Sequence, residues 1–164
     1  MNRHKLLHLL AAISRFGLAA LFLFTAGAKL WIVKAFTANV AELLTATGVN
    51  PGRWMWPVTI MVITAEIITA ALLLLPRTVR AGALLAAALL IGFSAYALYY
   101  RYGLGNAEGL ECGCFGGIIA SQLGVTTAIR NLLLLVPTFI VFFGYRRQRG
   151  QPTIMDYEQV GVTN

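Results

Sequence analysis

The chain has 164 residues, of which 59% are hydrophobic and only 12% charged. A mean hydropathy of +0.75 excludes an ordinary soluble domain, and the length leaves no room for a separate one beside a membrane domain. The net charge of +7 invites a polyanion-binding reading, which the placement of the basic residues argues against.

Four apolar blocks, 13–33, 57–75, 79–99 and 127–144, are each long enough or nearly so to cross a hydrocarbon core of ~30 Å. The expected fold is therefore all-α, a polytopic four-helix membrane bundle over residues 1–150. The first block follows Arg3, Lys5 and Arg15 and contains Ala26-Gly27-Ala28, which together mimic a secretory signal and its cleavage site. The apolar run resumes as Leu30-Trp31-Ile32-Val33, so this block is expected to stay as a spanning helix. His4 and His8 stand at i and i+4 and read as interfacial residues of that helix; no metal site is expected.

Between the first two blocks, Phe36, Val40, Leu43 and Leu44 recur at helical spacing with one polar face, which predicts a short helix lying at the outer surface. Pro57 is expected to open the second spanning helix, where its missing N–H costs nothing. Pro76-Arg77-Thr78 is too short for anything but a tight turn, so the second and third blocks form an antiparallel hairpin. The third block is rich in small residues, among them Ala81, Gly82, Ala83, Ala86, Ala87, Ala88 and Gly92, which let helix backbones approach closely. Residues 101–125 form the longest polar segment outside the termini, and seven of them are glycines: 103, 105, 109, 113, 116, 117 and 124. A polar tail, 151–164, is expected to be flexible in the cytoplasm.

With the N-terminus in the cytoplasm, eight of the thirteen basic residues fall inside: Arg3, Lys5, Arg15, Arg77, Arg80, Arg146, Arg147 and Arg149. Three, Lys34, Arg53 and Arg101, fall outside, and Lys29 and Arg130 lie within helices. That bias obeys the positive-inside rule and puts both termini in the cytoplasm. The basic character is thus topology, and no nucleic-acid partner is expected. Trp31, Trp54, Trp56, Tyr99, Tyr100 and Tyr102 then gather at the outer interface as an aromatic belt.

Both cysteines lie in the glycine-rich segment Glu111-Cys112-Gly113-Cys114-Phe115-Gly116-Gly117, which this topology turns outward. In a bacterial inner membrane that means the periplasm, where a disulfide persists. A bridge across one residue closes a tight ring, which is strained and easily reduced, and stabilises the fold little because its loop is so short. Redox exchange therefore leads the readings of the pair, ahead of an inert pair and of metal binding, for which only two soft ligands are in reach.

Ionisable side chains within a span cost roughly 2.5–3.5 kcal/mol on insertion scales, so they face the bundle interior and find partners. Lys29 stands roughly 6 Å below the outer end of its helix, Glu66 near the middle of the second span, and Arg130 and Asn131 at the start of the fourth. A pair between Lys29 and Glu66 is the natural compensation, with the lysine reaching downward. It either locks two helices together or guides protons and polarises a bound headgroup. Arg130 either snorkels to the interface or, with the positive end of the fourth helix, stabilises a thiolate on the cysteine loop.

Ala26-Gly27-Ala28-Lys29-Leu30, Glu66, Cys112-Gly113-Cys114-Phe115-Gly116 and Arg130-Asn131 together resemble the MauE branch of the DoxX-like membrane proteins, over roughly residues 13 to 144. The resemblance implies a multi-pass inner-membrane protein that works with a periplasmic thioredoxin-like partner. Together they would support disulfide formation, as in methylamine dehydrogenase maturation. Within it Cys112, Cys114 and Arg130 would be catalytic, and Lys29, Glu66 and Asn131 would line a cofactor site for which quinone is the candidate. Membrane enzymes that oxidise dithiols with quinone generally use two cysteine pairs, and this chain has one. The alternatives are a non-enzymatic assembly factor or anchor for a redox complex and a subunit of a sulfur compound–quinone oxidoreductase.

Overall fold

The computed structural model describes residues 3–103 and 125–145, and among them there are five helices and no strand. The helices are α1 (Arg3–Trp31), α2 (Val33–Ala46), α3 (Pro51–Leu74), α4 (Val79–Leu98) and α5 (Val125–Gly144); a π-helical turn, Tyr99–Gly103, continues α4. Four of them, α1, α3, α4 and α5, are long and apolar enough to cross a membrane. They close a ring in which α1 packs on α3, α3 on α4, α4 on α5 and α5 back on α1, while α2 lies against α3. Only 28–33% of each spanning window is buried. The remaining apolar faces need lipid, which makes this a multi-pass membrane protein.

The helices begin and end at positions that differ from the apolar blocks. α1 starts at Arg3 rather than at residue 13, because a helix is set by backbone hydrogen bonds and continues past the apolar stretch. α3 starts at Pro51, with Asn50 capping it by accepting a hydrogen bond from the Gly52 N–H at 3.0 Å. Pro57 therefore sits inside the helix and does not open it: Asn50-Pro51 supplies the cap and first position that Pro57 was expected to supply. α2 is broken from α1 at Ile32 (φ −113°, ψ 36°) and ends in a Schellman motif. There the Val49 N–H bonds Leu44 O at 2.9 Å and the Gly48 N–H bonds Thr45 O at 3.0 Å. Gly48 takes φ +75°, the left-handed conformation that glycine adopts without a Cβ penalty.

α2 buries Phe36 and Val40 against Ile63 of α3, with Val58 and Val62 beside them. The Tyr96 hydroxyl donates to Leu43 O at 3.2 Å and ties α2 to α4 as well. Trp31, Trp54, Trp56, Tyr99 and Tyr102 are all exposed and sit where α1 ends, α3 begins and α4 ends. That single end of the bundle is also where α5 begins.

At the opposite end the hairpin of α3 and α4 is drawn tight. A Cβ on Gly82 would stand 2.8 Å from Leu73 N and 2.9 Å from the Leu72 carbonyl carbon, so the two backbones meet where only glycine fits. Gly82→Ala must push the helices apart, and a loss of about 1–3 kcal/mol in micellar thermal unfolding is expected.

The same end holds a side chain that composition assigns to the solvent. Arg15 is buried (7% exposed). Its Nε donates to Leu73 O at 2.6 Å, one terminal nitrogen to Leu74 O at 2.5 Å and the other to the Tyr145 hydroxyl at 3.1 Å. Thr78 Oγ1 donates to Leu72 O at 3.0 Å. Three of the carbonyls that α3 leaves without intrahelical partners are thus satisfied by side chains, one of them a cation at the negative end of the helix. Arg15→Met strands two carbonyls in apolar surroundings and is expected to cost at least about 2 kcal/mol. Arg15→Lys, which keeps the charge without the fork, should fall between wild type and Arg15→Met in the same unfolding measurement.

Candidate functional site in the bundle interior

Side chains on a helix lean toward its N-terminus. α1 and α3 run in opposite directions, so Lys29 on α1 and Glu66 on α3 lean toward each other from different levels of the bundle. They meet: Lys29 Nζ stands 2.7 Å from Glu66 Oε1, and both side chains are 3% exposed. The ammonium also lies over the Phe36 ring, 5.6 Å from its centroid, an arrangement that offsets part of its desolvation. The downward reach expected of Lys29 is thereby accounted for.

Glu66 Oε2 is buried and makes no hydrogen bond to any described residue. It faces a cavity to which all four spanning helices contribute: Leu21, Phe22 and Thr25 of α1, Glu66 of α3, Leu90 and Phe93 of α4, and Arg130, Asn131 and Leu134 of α5. The Thr25 hydroxyl, which donates to Phe22 O at 3.1 Å, stands beside the carboxylate. Asn131 is buried (5% exposed) and its Nδ2 makes no hydrogen bond to any described residue. Arg130 is half-buried, and its positive charge repels that of Lys29. Lys29, Glu66, Arg130 and Asn131 therefore belong to one polar cluster, although they were singled out on three separate helices.

The cavity holds about 30 Å³, enough for one or two waters. Pockets for organic ligands run to roughly 300 Å³ or more. This one is water-sized, with Phe22, Leu90, Phe93 and Leu134 among its apolar walls.

Cys112 and Cys114 lie outside the described residues, as does the rest of the segment 104–124. The segment joins the end of the π-helical turn at Gly103 to the start of α5 at Val125. Arg130 and Asn131 follow Val125 within two turns of helix. Arg15 is the residue of consequence that composition and charge did not reveal. Its signal is positional: Arg15, Leu18, Phe22, Thr25 and Lys29, all buried, fall on one stripe of α1 at the spacing of an inward face.

A ring of four apolar helices around a buried, partly unsatisfied polar cluster defines a small multi-pass membrane protein with an interior site. The model of one family, methylamine utilisation protein MauE, matches residues 7–144, and the chain belongs to that family. No curated protein and no solved structure matches the chain.

Proposed function

We propose that this chain is a bacterial inner-membrane thiol–disulfide redox protein. It supports disulfide formation in proteins that mature in the periplasm, with both termini in the cytoplasm and the segment bearing Cys112 and Cys114 on the periplasmic side. The observation that carries the reading is the polar cluster of Lys29, Glu66, Arg130 and Asn131. It stands in the half of the bundle from which the cysteine segment issues, in a chain of the MauE family. The bias of basic residues toward the other end supports the orientation.

The chemistry is exchange with a periplasmic dithiol partner of thioredoxin type. A partner thiolate attacks one sulfur of the bridge between Cys112 and Cys114; the S–S bond breaks and a mixed disulfide forms. The partner's second thiolate then displaces this chain's cysteine, so the partner leaves oxidised and this chain leaves as a dithiol. Two electrons pass from partner to chain, and the two protons lost by the partner's thiols end on the cysteines or in water. The positive end of α5 and Arg130 stabilise the thiolate that departs. Arg130→Gln is accordingly expected to slow alkylation of the reduced pair near neutral pH.

The test is the redox state and sidedness of the pair in cells. A membrane-impermeant maleimide applied to spheroplasts should label Cys112 and Cys114 only after reduction. Cells carrying the double serine variant should accumulate exported substrate proteins in reduced form. Unchanged substrate oxidation in that variant overturns the reading and leaves the chain a non-enzymatic assembly factor.

A further inference from the structure

The bundle interior is divided. Toward the turn between α3 and α4 it is apolar, built on Leu18, Leu73, Val79, Ala83, Ala86 and Val141, each 3% exposed or less. Most buried polar groups in that half find partners: Arg15 bonds carbonyls, and Thr69 and Thr138 donate to Ala65 O and Leu134 O of their own helices at 2.7 and 2.8 Å, with Arg80 Nε, beside the turn, the exception. Toward the start of α5 some groups pair, as Ser94 does with Leu90 O at 2.8 Å, but unsatisfied ones gather. Thr59 Oγ1, Glu66 Oε2 and Asn131 Nδ2 are buried there and make no hydrogen bond to any described residue.

Each such group costs about 1–3 kcal/mol if left dry, and a carboxylate oxygen costs more. Two of the three, an acceptor and a donor, line the same cavity of about 30 Å³. Its occupant must donate to Glu66 Oε2 and accept from Asn131 Nδ2. An anion is repelled by the carboxylate oxygen, and a cation is opposed by Lys29, Arg130 and the amide N–H groups. Water does both, and the size and number of polar neighbours meet what a buried water needs.

We propose that the interior is a blind water well. It opens toward the end where α5 begins, reaches Glu66 and Asn131 at mid-bundle, and is stopped below them by Phe22, Leu90 and the apolar core. The well gives the Glu66 carboxylate proton exchange with one face of the membrane and none with the other. This holds whether or not the cysteines exchange disulfides.

The experiment is radiolytic hydroxyl-radical footprinting of the full chain in lipid nanodiscs, since radicals made from bound water mark the side chains that touch it. Leu90, at the floor of the well, and Leu18, in the apolar core beneath it, are a matched pair, 4% and 3% exposed. Leu90 and Phe22 should be oxidised severalfold faster than Leu18 and Leu73. Asn131→Leu, which fills the cavity and removes the donor, should bring Leu90 down to the rate of Leu18. Equal slow labelling of Leu90 and Leu18 in the wild-type protein means a dry interior, and equal fast labelling means a continuous channel; either result overturns the proposal. The wild-type comparison decides even if Asn131→Leu does not fold.

Discussion

Lys29→Met is expected to leave the Glu66 carboxylate buried and unpaired, and to destabilise the bundle by about 3–5 kcal/mol. The loss should appear as a collapse of folded yield in membranes and a lower unfolding midpoint in micelles. Glu66→Met does the converse, removing the carboxylate that stands 2.7 Å from the buried Lys29 ammonium. The instructive variant is the double one. Lys29→Met with Glu66→Met removes both charges and fills their volume with flexible apolar chains, and replacing a buried pair in this way is often neutral or stabilising. The double variant should therefore recover most of the stability that each single one loses. If the double variant is as unstable as the singles, the pair is not the source of the loss.

The double variant also separates two roles of the pair. A helix lock can be replaced by any packing that holds α1 against α3, so function would return along with stability. A carboxylate that faces water and moves protons cannot be replaced by a thioether. A stable, well-folded and inactive protein is expected. Glu66→Gln, which keeps the shape and a hydrogen bond to Lys29 but removes the carboxylate, should resemble it in activity.

The second large effect concerns the thiols. Serine at either Cys112 or Cys114 is expected to abolish turnover, because resolving the mixed disulfide and re-forming the bridge require both sulfurs. The same substitutions should move the unfolding midpoint little, by an equivalent of about 0.5 kcal/mol or less. A bridge spanning one residue closes almost no loop and so constrains the unfolded chain very little. Loss of exchange together with loss of stability would instead identify the pair as a structural clip.

What could be read from the chain alone follows from which interactions are local in kind. The spans were legible because the bilayer requires length and apolarity and little else. The pairing of Lys29 with Glu66 was legible because hydrocarbon forces a buried charge to find its opposite. Arg15 escaped notice because a basic residue beside an apolar block has two homes, the interface and the core. The positive-inside rule claims it for the first; only its place on the inward stripe with Lys29 argues for the second. The start of α3 was misplaced onto Pro57 because the apolar run begins there, while Asn50-Pro51 carries the cap and first position within an aromatic, less apolar stretch. The size of the interior cavity was beyond reach, since it depends on how Phe22, Leu90, Phe93 and Leu134 fill space across three helices.

The central claim is that Cys112 and Cys114 exchange disulfides with a periplasmic protein, and mixed-disulfide trapping tests it most directly. Each cysteine is replaced singly by serine, cells are quenched with acid and a thiol-blocking reagent, and the chain is isolated without reductant. At least one variant should carry a reductant-sensitive adduct with a thioredoxin-fold protein, absent from the double serine variant. No adduct from either single variant, with normal disulfide formation in cells carrying the double variant, would contradict it.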